Sequence, residues 1–243
     1  MFHTLSPDTH LVRDHGPFRL RRIRPGLVLG PDAPDTGFGG LGLIDHARLS
    51  PGLVVPLHEH VNDEIVSYLR AGELLHTDPA GSTEAVTADR LMVMNAGAGL
   101  WHEERVPAGP VEMLQIFVRP RAAGLPPAVR FVPLSAARGG RWRPLAGPEG
   151  EGQPTEVRQQ LYLYDAHLPA AETLVAPTRA GFDSWLYVFA GRARVAEKDL
   201  PPGWAVAATG EPLGAVTAVV PTDLVLFLVD RSAPATRAGT LSG

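Results

Sequence analysis

The sequence predicts an all-β protein made of two successive β units, and three observations carry that prediction. Gly and Pro contribute 26 and 24 of the 243 residues. Helix interiors tolerate both poorly, whereas turns between short strands need them. The hydrophobic fraction of 44% is large enough to bury a core. The apolar runs are short and evenly spaced, and no 3.6-residue stripe with caps at both ends stands among them.

The predicted strands follow one another through both halves of the chain, as in small barrels or sandwiches. The alternation of charged and apolar residues over 19–24 also favours a strand. In the first half we expect strands at 41–49, 53–56, 65–69, 74–77, 91–94 and 112–118. In the second half we expect them at 160–167, 184–189, 193–196, 205–208, 216–220 and 224–229.

Two internal matches indicate that one β unit is duplicated. Residues 64–72 can be laid on 183–191, since both begin with an acid, alternate apolar residues around a Tyr and end in Ala-Gly. Residues 91–97 match 204–210 in the same order. The intervening Gly/Pro-rich stretch indicates a connector, with a short strand near 129–132. We therefore predict a first domain at 1–125, a connector at 126–158 and a second domain at 159–243.

Composition excludes several classes of function. The net charge of −4 comes without a basic stripe, so no nucleic-acid partner is expected. The absence of Cys excludes disulfides, thiolate metal sites and thiol catalysis. Any metal must therefore be held by nitrogen and oxygen. No secretory h-region or membrane-length apolar run is present, so we expect a cytoplasmic protein without membrane contact.

Three histidines and one glutamate form two short motifs typical of metal ligands. His58 and His60 make a His-x-His pair, and His102 and Glu104 make a His-x-Glu pair. Residues i and i+2 of a strand point to the same face, so each pair would project together. If the two strands face each other in a barrel, the result is a nitrogen/oxygen site suited to Fe, Mn, Ni, Cu or Zn, with coordination positions left open for chemistry.

These motifs resemble the pirin family. The resemblance is carried by His58-x-His60-x3-Glu64, by the later Gly72-Glu73 and His76-x-Asp78, and by the run from Met94 to Glu104, at about residues 40 to 120. It implies two tandem cupin β-barrels, a bicupin, of which only the N-terminal barrel binds metal. It also implies that the protein binds one metal ion, which in this family is usually iron. We therefore expect Fe²⁺ here, with Ni, Cu, Mn, Zn or Co as alternatives. By motif position the ligands are His58, His60, His102 and Glu104.

The carboxylate assignment and the substrate stay open. Ordinary cupins use the Glu at position 64 as a ligand, whereas the pirin pattern gives that role to Glu104, and either could act as the catalytic base. Residues 61–63 are Val-Asn-Asp where the family usually has Arg-Gly-Phe. This departure leaves metal binding intact and puts substrate identity in doubt.

The second half lacks the same chemistry, and a few further residues could line the first cavity. At the offsets of the internal matches, the histidine positions fall on Pro177, Arg179 and Ala215, and the Glu104 position on Thr217. The second barrel is therefore predicted to be metal-free and to cover the first barrel or present a surface to a protein partner. Trp101 is expected in the core. The expected cavity-lining residues are His76, Gln115 and Met94.

Three functions are compatible with these features. Several pirins cleave the flavonol quercetin with O2, so the first is a metal-dependent dioxygenase acting on a flavonol or a related aromatic or enol substrate. The second is a non-enzymatic regulatory or binding protein that responds to metal redox state, as eukaryotic pirins act as transcriptional co-regulators. The third is a cupin isomerase or hydrolase that uses the metal only as a Lewis acid.

Overall fold

The chain folds almost entirely into β-strands, as predicted. The computed structural model describes residues 1–135 and 139–243; residues 136–138, part of the predicted connector, lie outside the described residues. Two 3₁₀ turns, Pro7–Thr9 and Pro25–Leu29, are the helical elements of the described chain. Neither turn has the length or apolarity that a membrane-crossing helix needs. The strands are β1 (Phe2–Leu5), β2 (Leu11–His15), β3 (Phe18–Ile23), β4 (Leu41–Leu49), β5 (Val54–His60), β6 (Glu64–Ala71), β7 (Glu73–Thr77), β8 (Thr83–Thr87), β9 (Arg90–Asn95), β10 (Leu100–Arg105), β11 (Val111–Val118), β12 (Ala128–Pro133), β13 (Arg143–Pro148), β14 (Glu156–Val157), β15 (Leu161–Leu168), β16 (Thr173–Val175), β17 (Asp183–Ala190), β18 (Ala193–Val195), β19 (Lys198–Leu200), β20 (Ala205–Ala208), β21 (Ala215–Ala218) and β22 (Thr222–Val229).

The strands form two cupin barrels. The first is a long curled sheet in the order β2-β3-β4-β11-β6-β9-β8-β7-β10-β5, with β12 added to β9. The second combines the sheet β1-β20-β17-β22-β15-β13-β14 with the sheet β16-β21-β18-β19. The N-terminal strand β1 therefore belongs to the second barrel, where Phe2 lies opposite Ala208 and Leu5 opposite Ala205.

Three hydrophobic cores explain why many strands are apolar on both faces. Two cores fill the interiors of the barrels, and a third lies between them. On β22, Leu226 points into the second barrel and its neighbour Phe227 points into the inter-barrel core. On β6, Ile65 points into the first barrel and Val66 into the inter-barrel core. A strand buried on both faces loses the polar alternation of a half-exposed strand.

The segment 126–158 contains more strand than its Gly/Pro content indicates. Strand β12 lies where a short strand is expected, but β13 and β14 also form. Pro144 lacks an N–H for the ladder, and β13 accommodates it with a register shift between Pro144 and Ala146. The division into domains 1–125, 126–158 and 159–243 stays a prediction.

A buried polar network crosses the inter-barrel core. Tyr68 of the first barrel donates its hydroxyl proton to Asp165 Oδ2 of the second, over 2.7 Å. Arg143 binds both oxygens of Asp165, at 2.9 and 2.5 Å. Asp165 is fully buried, so these charge-assisted bonds satisfy a carboxylate that would otherwise be costly to desolvate.

A second part of the network contains a histidine that is charged at neutral pH. His167 Nδ1 lies 2.6 Å from Asp223 Oδ1, and Arg70 of the first barrel donates to Asp223 Oδ2 at 2.5 Å. Hydrogen bonds to Asp165 and Asp223 raise the pKa of His167 from 6.5 to about 9. The protonated ring thus links the second barrel to a carboxylate shared with the first.

This pKa shift predicts a pH-dependent stability. Because the folded-state pKa exceeds the unfolded value, the stabilisation is fully present below pH 6.5 and is lost as the pH rises through about 9. In wild type, solvent screens the half-buried ring, so the free energy of unfolding should decline by about 1 kcal/mol or less over this pH range. The His167→Gln variant should lack this decline. Urea unfolding at a series of pH values measures it. The His15→Gln variant, altered on an exposed strand, should keep the wild-type decline; an unchanged decline in His167→Gln would refute the assignment.

Candidate metal centre

Strand β10 lies between β5 and β7 and brings four histidines together. In the β5–β10 ladder, His102 lies directly opposite His58, and Leu100 opposite His60. On its other edge β10 pairs with β7, which places Glu104 opposite His76. The sequence motifs therefore converge because the topology makes β5 and β10 neighbours.

The three predicted histidine ligands form one compact group, the histidine cluster. One ring nitrogen each of His58, His60 and His102 lies within 4.8 Å of the others. The ring centroids of His58 and His102 are 4.3 Å apart, and His60 completes the triangle at 4.9 and 5.3 Å. His60 and His102 are buried, whereas His58 is half-buried. The cluster thus opens towards solvent on the side of His58.

The hydrogen bonds of the rings leave nitrogen lone pairs free at the centre. His58 Nδ1 lies 2.8 Å from the Pro56 carbonyl oxygen and must donate, so its Nε2 is the unprotonated nitrogen. His102 Nδ1 pairs with His76 Nδ1 at 3.0 Å. His102 Nε2 is buried without a hydrogen-bond partner. A buried nitrogen without a partner is costly, and its place in the cluster fits a metal cation. His60 Nδ1 also lacks a hydrogen bond, but it faces Asp63 Oδ2 at 3.6 Å.

The environment keeps the rings of His58, His76 and His102 neutral. Burial, together with the neighbouring His58, His76 and His60, lowers the pKa of His102 to about 2. Burial also lowers the pKa of His58 and of His76. Neutral imidazole is the form that ligates metals, so these rings need no deprotonation before binding an ion.

Glu104 is buried next to the cluster but is not part of its close group. A register shift separates His102 from Glu104 on β10, and both side chains are buried. Gln115 Nε2 donates to Glu104 Oε1 at 3.3 Å, which gives the amide on this apolar strand a defined partner. Burial raises the pKa of Glu104 to about 7. Its role as fourth ligand stays a prediction.

Glu64 is engaged elsewhere. Its Oε1 accepts a hydrogen bond from Asn95 Nδ2 and its Oε2 accepts one from the Arg158 backbone N–H, both at 2.7 Å. The carboxylate therefore ties the segment at Arg158 to the first barrel. The two-residue alternation of side chains along a strand could not distinguish Glu64 from Glu104. The partners of Glu64 come from β9 and from a distant part of the chain, which the alternation does not reveal.

The remaining sequence candidates divide between the site and the core. His76 contacts His102, as described, and also packs edge-on against Phe131 with ring centroids 5.5 Å apart. Met94 is fully buried in the first-barrel core. The expectation that Trp101 packs in the core is wrong, because its side of β10 faces outwards and the residue is 45% exposed.

Comparison with known proteins identifies the family. A pirin family model matches residues 36–118, and a model of the quercetinase C-terminal cupin domain matches residues 145–229. The chain belongs to the pirin family. It is 27% identical over 161 residues to the quercetin 2,3-dioxygenase of Escherichia coli K12, covering 65% of this chain and 69% of that protein. It is 26% identical over 198 residues to a pirin-like protein of Caulobacter vibrioides, covering 80% and 85%.

Solved pirin structures share the fold. YhhW from Escherichia coli superposes with a TM-score of 0.83 at 22% identity, covering 94% of this chain and 97% of that one. The bacterial pirin YhhW in complex with nickel(II) gives a TM-score of 0.82 at 22% identity, covering 97% and 100%.

A C-terminal clamp, residues 238–242, holds the loop that follows His60. Asp63 in this loop is fully buried and accepts hydrogen bonds from Leu241 N, Ser242 N and Ser242 Oγ at 3.0, 3.0 and 2.6 Å. The Val61 backbone N–H donates to Thr240 Oγ1 at 2.8 Å. The sequence shows only that residues 61–63 depart from the pirin pattern; the structure shows that these residues bind the clamp.

The clamped loop also has a fixed backbone. Asn62 adopts a left-handed conformation with φ of 55°. Its Oδ1 accepts from the Gly124 N–H at 2.7 Å, and its Nδ2 donates to the Ala238 carbonyl at 3.3 Å. Asp63 Oδ2 lies 3.6 Å from His60 Nδ1. The clamp therefore fixes the position of the Asp63 carboxylate next to His60, a candidate metal ligand.

We predict that His76 positions His102. Replacing His76 by Phe keeps the ring and its packing but removes the Nδ1–Nδ1 hydrogen bond. Loss of such an orienting partner should weaken Ni²⁺ binding by about 10- to 100-fold. His76→Gln, which keeps a hydrogen-bonding group, should lose less. Competition against a chromophoric chelator measures the affinity, and equal Ni²⁺ affinity of wild type and His76→Phe would show that the contact has no positioning role.

We also predict that Asp63 couples the clamp to the centre. Asp63→Ala leaves three donors without an acceptor and should reduce the free energy of unfolding by about 2–4 kcal/mol. It should also speed backbone hydrogen exchange at residues 238–242 and weaken Ni²⁺ binding. The exposed Asp32→Ala variant is the control for loss of one carboxylate. Unchanged exchange in Asp63→Ala would contradict the clamp.

Proposed function

We propose that the protein is a metal-dependent dioxygenase that cleaves quercetin or a related flavonol or enol with O2. The observation that carries the proposal is the convergence of the imidazoles of His58, His60 and His102, one ring nitrogen of each lying within 4.8 Å of the others. The names of its relatives, several of them quercetin 2,3-dioxygenases, support the substrate class.

The donor set fits a divalent transition ion. In our proposal His58, His60 and His102, with Glu104 as fourth ligand, hold one such ion, and iron is the ion proposed. Imidazole nitrogens with a single carboxylate suit Fe, Ni, Cu, Mn, Co or Zn rather than Ca or Mg. When bound, the ion would supply a Lewis acid for a substrate hydroxyl and, if redox-active, electrons for reaction with O2.

The protein's own groups would manage the proton of the substrate. In our proposal Glu104 takes the hydroxyl proton on Oε2, the carboxylate oxygen that Gln115 does not hold. Gln115 Nε2 holds Oε1 and so orients the carboxylate. Because Glu64 has both oxygens occupied, we assign the base to Glu104.

Substrate access is proposed from the side of His58. His58 is the half-buried member of the cluster, whereas His60 and His102 are closed off from solvent. Glu59 lies next to it on β5 and directly opposite the exposed Trp101 on β10. The Glu59 carboxylate also lies close to Gly99, whose φ of 142° is a backbone conformation that favours glycine.

Metal content tests the centre itself. We expect about one transition metal per chain, and loss of that metal in His58→Ala and in His102→Ala, because each variant removes an imidazole from the cluster. The His15→Ala variant removes a histidine outside the cluster and should keep the metal. Elemental analysis of purified proteins measures the content, and metal retained in both cluster variants would overturn the assignment.

Turnover tests the reaction. Metal-loaded protein is incubated anaerobically with quercetin, and air is then admitted. We expect loss of the flavonol absorption and release of carbon monoxide, both abolished in His102→Ala and strongly reduced in Glu104→Gln. No turnover with any of several metals would refute the flavonol activity. Partner binding that depends on metal oxidation state would then favour the regulatory function, and product formed without O2 the isomerase or hydrolase.

A further inference from the structure

The N-terminal segment, residues 1–10, crosses from one barrel to the other, and we call it the strap. Its strand β1 extends the second-barrel sheet by pairing with β20, whereas the next strand, β2, pairs with β3 in the first-barrel sheet. The 3₁₀ turn Pro7–Thr9 makes the crossing. Leu5, just before the turn, is buried in the inter-barrel core. The strap therefore covers part of the junction between the barrels.

His10 ends the strap, and its ring is buried without hydrogen bonds. The residue is 7% exposed, and within the part of the chain that the structure describes neither Nδ1 nor Nε2 has a hydrogen-bond partner. The backbone N–H is satisfied, since it donates to the Pro7 carbonyl oxygen at 3.0 Å. An imidazole carries at least one N–H donor, and a buried donor without an acceptor is costly. The His10 ring thus opposes closure of the strap.

The groups around the ring would make a positive charge on it unfavourable. Arg21 of β3 and His46 of β4 face it from the first barrel, whereas Asp8 of its own segment is exposed to solvent. Tyr187 of the second barrel, which lies 2.8 Å from His46 Nδ1, adds a hydroxyl that burial keeps neutral by raising its pKa. Burial, followed by the charges of Arg21 and His46, lowers the pKa of His10 from 6.5 to about 4. The closed strap therefore holds a neutral ring.

The strap can open locally because it lies at sheet edges. Strand β1 is the last strand of its sheet, and β20 keeps β17 as its partner on the other side. Strand β2 is likewise the last strand of the first-barrel sheet and is exposed along its whole length. Edge segments of this kind open at a lower free energy than the whole fold. Opening would expose the free edge of β20 and the place of Leu5 in the inter-barrel core.

We propose that protonation of His10 releases the strap from the junction of the two barrels. In the open strap the ring is hydrated, so it can take up a proton and satisfy both nitrogens with water. In the closed strap the same proton would be buried next to Arg21. Closure is therefore fully favoured above pH 6.5 and weakens as the pH falls from 6.5 towards 4, since the pKa is lower in the closed form. This release depends neither on the metal centre nor on the proposed dioxygenase activity.

Backbone hydrogen exchange of the purified full-length chain at pH 7 and pH 5 tests the release. Rates are expressed as protection factors, which removes the intrinsic pH dependence of exchange. Protection of residues 1–9 should fall about tenfold or more between pH 7 and pH 5. Strand β17, on the far side of β20, and strand β6, inside the first-barrel sheet, should keep their protection. An equal loss in β6 and β17 would indicate global loosening and would overturn the proposal.

Two substitutions at His10 separate protonation from other effects of acid. His10→Gln has no proton to gain, so its strap protection should be the same at pH 5 and pH 7. His10→Phe, which also removes the unbonded nitrogens, should be equally insensitive to pH and at least as well protected as wild type at pH 7. His15→Gln, altered on the exposed strand β2, is the matched control and should lose protection as wild type does. The proposal is wrong if both His10 variants lose strap protection at pH 5 as the control does, or if wild type keeps it.

Discussion

Burial of apolar surface between the two barrels is the constraint on which the rest of the structure depends. The inter-barrel core takes one face of β6, β11, β17 and β22, including the rings of Trp185 and Phe227. Burying a large apolar side chain contributes about 1.5–3 kcal/mol, so neither barrel can expose this face to water without a large loss. The two barrels must therefore pack together, and every inter-barrel feature follows from that packing.

The same packing makes room for polar and charged groups at defined places. Tyr68, Asp165 and Arg143 satisfy one another where the core crosses from one barrel to the other. The histidine cluster is different, since two of its buried ring nitrogens, His102 Nε2 and His60 Nδ1, have no hydrogen-bond partner. Each such buried group costs about 1–3 kcal/mol, and a protein core keeps groups of this kind where function requires them. This contrast separates the structural polar residues of the fold from those of the metal centre.

Sequence reasoning recovered the parts of the protein that depend on local pattern. The two-residue period of strands sufficed to place His58 with His60, and motif resemblance linked them to His102. It placed His102 and Glu104 on a strand for the metal site but did not include β10 among the expected strands, because Leu100 to Arg105 carries charge on both faces. It missed β13 because Pro144 argues against a strand. The pattern also assigned Trp101 to the core. An aromatic residue next to His102 does not show which face of the strand is exposed to solvent.

Contacts between distant residues were beyond such reasoning. The partners of Glu64, of Asp63 and of the N-terminal strand lie far along the chain, and no local period connects them. The departure of residues 61–63 from the family pattern was visible, but its physical meaning, a binding site for residues 238–242, required the fold. The relationship of the second barrel to the first was visible in the repeated Tyr and Ala-Gly positions. These positions support the fold, whereas the candidate metal ligands are not repeated.

The clamp has a consequence for the order in which the molecule assembles. Asp63 and Ser242 are 179 positions apart in sequence, and closing so long a loop has an entropic cost that falls once the intervening chain is ordered. We therefore expect the loop that follows His60 to gain its final support late in folding, when both barrels are in place. Ordering of that candidate ligand becomes a property of the assembled pair of barrels, although all three histidines of the cluster belong to the first.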